Sequence, residues 1–341
     1  MSWCLNSPWE TASFLETELA PRKILVTGGA GFIGSHLVDR LMEASHDVTV
    51  LDNIPSRSLE NLARWNGHPM FHFRQGDMLN INDIVGAVDE CDTVFHLAAN
   101  PEVRVGYSDT NIDFAQNILA TQNLMSILAK SGKCKKVIFS STSTVYGEPG
   151  IIPTTEDYGP LRPISLYGSS KLACESLISG YAHMFGFKAV ILRLANIMGP
   201  RSNRGVVYDF VQKLQANPKQ LEILGDGTQT KSYLHVYDCI RAFLTLLDYG
   251  QNDTVEIFNV GSEDAVTVLE IAHAIASELG LGKVEYHCNG GVDGGKGWKG
   301  DVKEMLLDTR KIRRLGWRTT WNSLESVRLV AHGLANTVLT A

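Results

Sequence analysis

Tyr167 and Lys171 stand four residues apart in Tyr167-Gly168-Ser169-Ser170-Lys171, a spacing that puts both on one face of a helix. A free tyrosine has a pKa near 10 and is only about 0.1% phenolate at pH 7. An adjacent ammonium, together with a positively charged ring bound beside it, favours the anion and lowers that pKa, as a phenol needs if it is to serve as a general base near neutrality. Alone, the pattern is ordinary helix surface. Its setting changes that: the apolar run Val137–Phe139 ends in Ser140-Ser141-Thr142-Ser143-Thr144-Val145-Tyr146-Gly147. This row of hydroxyls falls at the carboxyl edge of a strand, where open α/β sheets bind ligands.

A second constellation lies near the start of the chain. Ile24-Leu25-Val26-Thr27 runs into Gly28-Gly29-Ala30-Gly31-Phe32-Ile33-Gly34, followed by a helical pattern. Glycines at 28, 31 and 34 let backbone N–H groups approach a pyrophosphate, and the helix N-terminus adds partial positive charge. The next strand ends in Asp52, beside Asn53, and a carboxylate there accepts from ribose hydroxyls while repelling the extra phosphate of NADP. Arg57 is the residue nearby that argues the other way, from an exposed loop. Asp77, beside Met78, is placed to meet an adenine amino group or simply to cap a turn.

The elements that must position these groups are legible as alternating buried runs and amphipathic stretches. Lys23–Thr27, Val48–Asp52, Thr93–Ala98, Lys136–Ser140 and Lys188–Leu194 read as strands buried on both faces, hence a parallel sheet with crossover helices. Thr110–Ser131 and Tyr167–Phe185 are the longest helical candidates. The fold class is α/β: a Rossmann-type doubly wound parallel sheet with a smaller C-terminal α/β lobe. A nucleotide-binding domain is expected over residues 22–196, with later segments returning to it, and the smaller lobe mainly over 197–341. Residues 1–21, with Trp3 and Trp9, read as an N-terminal appendage.

Bulk composition narrows the partners. A net charge of -6 gives no basic footprint for nucleic acid. No run approaches the roughly 18–20 apolar residues of a membrane helix, and the N-terminus lacks the form of a signal peptide. The six cysteines contain no C-x-x-C pair, so reduced, mostly buried thiols in a cytoplasmic protein are expected. The ten histidines show no ligand spacing, and no metal is implied.

The order of glycine turn, hydroxyl row and Tyr-Lys pair resembles the extended short-chain dehydrogenase/reductase family, from Arg22 to beyond Trp321. Local marks agree. His96-Leu97-Ala98-Ala99-Asn100 is similar to the family's fourth-strand segment beside the cofactor, and Asn117 matches an Asn in the helix behind it. Arg193-Leu194-Ala195-Asn196-Ile197-Met198-Gly199-Pro200-Arg201 resembles the substrate-edge segment, whose Asn contacts a sugar diphosphate. Gly225-Asp226-Gly227, Lys231-Ser232-Tyr233 and His235-Val236 resemble the nucleotide-sugar clamp, with Lys231 where Arg is common, a change that keeps the charge and loses the bidentate fork. Within the family the similarity is greatest to UDP-glucose (UDP-galactose) 4-epimerases of the archaeal type.

The resemblance implies NAD as cofactor, held by Gly28, Gly31, Phe32, Ile33, Gly34, Asp52, Asn53, Asp77, Met78, Leu97, Ala98, Ala99, Asn117, Ser140, Tyr167 and Lys171. It implies a UDP-sugar substrate met by Asn100, Thr142, Asn196, Val206, Val207, Lys231, Tyr233, Lys296, Asp301 and Met305. Val206, Val207 and Phe210 are equally readable as a buried helix face. Met305 aligns with a bulky Tyr that in some hexose epimerases restricts an N-acetyl group. Tyr167, Lys171 and Thr142 carry the chemistry, in a homodimer built through the two long helices.

Residues after Thr142 discriminate among reactions. Sugar-nucleotide 4,6-dehydratases carry Thr-Asp-Glu there and UDP-glucuronate decarboxylases Thr-Ser-Glu, whereas this chain has Thr142-Ser143-Thr144. Inversion at C4 of a UDP-hexose through a 4-keto intermediate, with Tyr167 as base, asks for the fewest further groups. UDP-N-acetylglucosamine and UDP-glucuronate stand as alternative substrates. Dehydration, decarboxylation and a non-catalytic sensor are the rival functions.

Overall fold

The computed structural model describes residues 21–54, 56–89 and 91–338, so nearly all of the expected appendage at 1–21, Trp3 and Trp9 included, lies outside the described residues. The apolar runs become strands β1 (Lys23–Thr27), β2 (Asp47–Asp52), β3 (Phe71–Gln75), β4 (Thr93–His96), β5 (Lys136–Thr142) and β6 (Lys188–Leu194). They pair in parallel in the order β3-β2-β1-β4-β5-β6, and the strand Val255–Val260 adds beyond β6. The chain thus returns to the large sheet after residue 196.

Alternation along the strands sends side chains to two cores. Ile24, Val26, Val50, Phe95 and Ile138 pack with Leu37 and Leu41 of helix α1 (Phe32–Glu43) and with Phe243 of the helix Val236–Asp248. Leu25, Leu51, Val94, Val137 and Phe139 face the other way. They meet Ile84 of α2 (Ile81–Val88), Leu124 and Leu128 of α3 (Ala120–Ser131) and Ile178 of α4 (Leu166–Phe185). Each such fully buried side chain contributes on the order of 1.5–3 kcal/mol of transfer free energy. Helices on both faces are why the strands read as continuous apolar runs.

Strand order reverses between β1 and β4, and the crevice at their carboxyl ends is the place where a doubly wound sheet holds a ligand. A second, smaller core joins Val207, Phe210 and Val211 of the helix Val206–Ala216, Ile271 and Ile275 of Val268–Glu278, and Val327 and Ala331 of Ser323–Val338. Parallel strands Gln220–Ile223 and Glu285–Cys288 complete that layer.

One expected helix is not regular. Over Phe114–Leu119 the backbone forms a π-helical turn before α3 begins. The wider turn carries Asn117, whose side chain is fully engaged inside the protein: Oδ1 accepts from Asn100 N at 2.8 Å, and Nδ2 donates to Asp113 Oδ1 at 3.2 Å and Ser170 Oγ at 2.8 Å. Such turns concentrate at functional sites.

Candidate active site

The glycine turn is tight because three backbones converge in it. Gly28 has φ of +69°, and a Cβ there would lie 2.8 Å from Ala98 N. A Cβ on Gly34 would sit 2.2 Å from Gly28 O, so only glycine lets α1 close on the turn. Gly31 caps α1 without a side-chain hydrogen bond, so the amides of Phe32, Ile33 and Gly34 in its first turn are not closed off by a capping side chain. Leu97, Ala98 and Ala99 line the other bank, half-buried, after β4.

Asp52 is buried at the end of β2; its Oδ2 accepts from Ala30 N at 2.9 Å and its Oδ1 from Ile54 N at 3.0 Å. Burial raises its pKa, partly offset by those backbone donors. The carboxylate therefore fixes the crest of the glycine turn, with Asn53 exposed beside it. Asp77 accepts from Leu79 N at 2.9 Å, the turn-capping role, while Met78 is buried and its carbonyl accepts from Asn123. Arg57's side chain lies outside the described residues.

Thr142, Tyr167 and Lys171 are presented by β5 and α4. Ser165 caps α4 by accepting from Gly168 N at 3.0 Å, which places Tyr167 in the first helical turn and Lys171 one turn on. Lys171 is buried, and its Nζ donates to Ser140 O at 2.9 Å. Thr142 ends the strand; its Oγ1 accepts from Thr144 N at 3.2 Å and lies 3.1 Å from Thr144 Oγ1. Burial brings Lys171 down to about 8, opposed by Cys174, Glu175 and Asp113.

Lys171 alone does not bring the phenol down. The half-buried Tyr167 has its pKa raised, by desolvation first and then by the Asp113 carboxylate and Cys174. Desolvation outweighs the Tyr-Lys proximity inferred from spacing, because Lys171 directs its ammonium at Ser140 O. Lowering the phenol pKa thus depends on additional positive charge.

On the opposite bank, Lys231 pairs with the buried Asp301 at 2.5 Å, and Asp301 also accepts from Gly297 N at 3.2 Å. Lys296 reaches across to Glu148 at 2.7 Å. Asn196 is exposed and donates to Ser232 O at 3.1 Å. Several other expected contacts have structural work. Tyr233 is buried in the small core and Val207 with it, so for Val207 the buried-face alternative describes what is seen; Val206 packs at the edge of that core. Met305 is buried with Val145 and Tyr146, the apolar residues that follow the hydroxyl row in sequence. Asn100 spends its side chain on Asp113 Oδ1 and Glu102 O.

Three features were not read from the sequence. Asp113, four residues before Asn117 and on the same helix face, lies 2% exposed behind the site; that spacing was the available signal. Glu175, likewise four after Lys171, forms a buried ion pair with Arg193 at 2.8 Å and accepts from Ser141 Oγ at 2.5 Å, bracing α4 against β5 and β6. Trp298 has both Arg104 and Lys231 over its ring, a convergence across three distant segments that no local pattern announces.

Together these parts define a dinucleotide-dependent enzyme acting on a hydroxyl-bearing carbon. The chain belongs to the NAD dependent epimerase/dehydratase family, whose model matches residues 24–261. It is 33% identical over 320 residues to a putative UDP-glucose 4-epimerase of Methanocaldococcus jannaschii, covering 92% of this chain and 98% of that one. A crystal structure of a UDP-galactose 4-epimerase is 40% identical with a TM-score of 0.80, covering 92% of this chain and 99% of the other. A UDP-glucose 4-epimerase from Thermotoga maritima, solved with UDP-glucose, is 33% identical with a TM-score of 0.81, over 92% and 99% of the two chains. The residues present fit NAD: the turn has no room for a Cβ, α1 has no capping side chain, and a carboxylate closes β2.

Proposed function

We propose that this chain inverts C4 of a UDP-hexose, with UDP-glucose and UDP-galactose as the substrate pair. The observation that supports the reading is Lys171, one turn beyond Tyr167 on α4, donating at 2.9 Å to Ser140 O at the carboxyl end of β5 that Thr142 closes, with Ser143 and Thr144 where related reactions use carboxyls. NAD, when bound, would supply a reversible hydride acceptor. Thr142 Oγ1 orients the sugar 4-hydroxyl, and Tyr167 Oη takes its proton as the C4 hydride leaves. Lys171, anchored on Ser140 O, holds the cofactor ribose and favours the phenolate. Lys231, Asn196 and Lys296 keep the UDP anchored while the 4-keto sugar turns its other face, and Tyr167 then returns the proton.

Elimination of water, or loss of a carboxylate as carbon dioxide, is disfavoured by the hydroxyls at 143 and 144. The acid of α4 nearest the row, Glu175, is committed to Arg193 and Ser141. Free thiols at the buried Cys91, Cys134, Cys174 and Cys239 support a reducing, cytoplasmic setting. Exposed Phe114 and Leu119, ahead of and on the approach to α3, together with Met184 and Phe185 at the end of α4, support a homodimer through these helices.

The test is to incubate the purified protein, without added cofactor, with UDP-glucose, UDP-N-acetylglucosamine and UDP-glucuronate and to follow the C4 configuration by NMR. Interconversion of UDP-glucose and UDP-galactose, lost in Tyr167→Phe, is the expected result. A 4-keto-6-deoxy sugar, a UDP-pentose, or full activity in Tyr167→Phe overturns the reading. Light scattering at micromolar concentration tests the dimer.

A further inference from the structure

Asp113 is an unusual residue to find where it is. It is only 2% exposed, and its Oδ1 accepts from Asn100 Nδ2 at 2.9 Å and Asn117 Nδ2 at 3.2 Å. Its other oxygen, Oδ2, is buried with no hydrogen-bond partner among the described residues. A Cβ on Gly106 would come within 2.7 Å of that oxygen, so the glycine leaves the carboxylate its space. An unpartnered buried carboxylate oxygen is costly, and proteins rarely retain one without a reason.

Holding the two asparagines requires one acceptor oxygen, which an amide would provide without burying a charge. The charge itself is therefore what needs explaining. Asn117 continues to Ser170 Oγ at 2.8 Å, and Ser170 donates to Tyr167 O at 2.8 Å, so Asp113 is tied to the helical turn that carries the phenol.

We propose that Asp113 is a positioning residue for the chemistry: its buried charge stands behind Tyr167 and Lys171, keeping the lysine cationic and the phenol protonated until positive charge and substrate arrive. This rests on Tyr167 being the base. Tyr167 is faced by Asp113 and Cys174; Lys171 by Cys174, Glu175 and Asp113; Asp113 by Lys171 and Asp109, its own carboxyl raised by burial and held back by the Asn100 and Asn117 amides and Lys171. Glu175 is matched by Arg193, and Asn100, Asn117 and Ser170 are neutral. A negative charge raises the pKa of every group near it, so its removal lowers both Tyr167 and Lys171.

The experiment is the pH profile of kcat/KM for UDP-glucose epimerisation by the full, NAD-retaining chain and its Asp113→Asn variant. Both limbs are expected to move to lower pH by about one unit, the scale of one partly screened charge at close range. Unmoved limbs, with only a loss of thermal stability, reduce Asp113 to a structural part and overturn the proposal. Should the amide variant not fold, Asp113→Ser keeps an acceptor in a smaller side chain, and the same shift is required of it. Tyr167→Phe separates the two readings: if it stays active the base assignment fails, whereas an inactive Tyr167→Phe with unmoved Asp113→Asn limbs sinks only the role of Asp113.

Discussion

Lys171 Nζ donates to the carbonyl oxygen of Ser140 at 2.9 Å, so the ammonium one turn beyond Tyr167 is anchored to the end of β5. Burial brings this lysine to about 8, which makes its charge labile within the working range of an enzyme. Below that pH it is cationic and favours phenolate; above it the favour is withdrawn. The rate of epimerisation should accordingly show an alkaline limb near pH 8, and a profile flat to about pH 10, the usual range of lysine, would contradict the assignment.

Gly34→Ala should strip the chain of cofactor. Its methyl would lie 2.2 Å from Gly28 O, forcing α1 off the glycine turn. The expected outcome is loss of most NAD released on denaturing the purified protein, with the far-ultraviolet circular dichroism retained. Normal NAD content in this variant counts against the cradle.

Lys231→Met tests the opposite bank. Removing the ammonium that pairs with Asp301 at 2.5 Å should raise KM for the UDP-sugar about tenfold or more, the loss of roughly 1.4 kcal/mol, with NAD content unchanged. An unchanged KM would remove Lys231 from the substrate site.

The Glu175–Arg193 pair predicts a thermodynamic cycle. Arg193→Met alone leaves a buried carboxylate unpaired and should destabilise by about 3–5 kcal/mol, whereas Arg193→Met with Glu175→Leu should recover most of that loss. Additive effects in urea unfolding would show that the pair is not coupled.

His36 sets an acid sensitivity. It is buried, its Nε2 lies 3.0 Å from Pro200 O, and its pKa is lowered to about 4, chiefly by burial and then by Arg201. A histidine with a folded pKa below its unfolded 6.5 gives the unfolded chain the greater proton affinity. Stability is then lost as pH falls from 6.5 towards 4, by about 2 kcal/mol at pH 5. His36→Asn should lack that share of the decline; an equal slope in urea denaturation between neutral pH and pH 5 would rule it out.

Much of this molecule was legible because its signals are local. The strand runs Lys23–Thr27 and Lys188–Leu194, for instance, coincide with β1 and β6, since a sheet covered on both faces demands uninterrupted apolar residues. The glycine turn was readable for a similar reason: close backbone approach admits only one residue type. Asp113 and Glu175 were not singled out, although each stands four residues from a marked one, because a carboxylate on a helix is ordinarily a solvated face. Val207 and Tyr233 lie in the small core, which for Val207 is the buried helix face its spacing equally offers, since aromatic and branched residues serve packing and recognition with the same chemistry.

The sequence by itself determined the order of parts: a glycine turn after one strand, hydroxyls after another, and a Tyr-Lys pair at helical spacing. Only the tertiary structure decided their electrostatics. Desolvation of the half-buried Tyr167, and the carboxylate of Asp113 brought from a distant turn, raise the phenol against the pull of the Tyr-Lys spacing, because desolvation and long-range charge depend on what the folded chain packs around a residue and not on its neighbours in sequence.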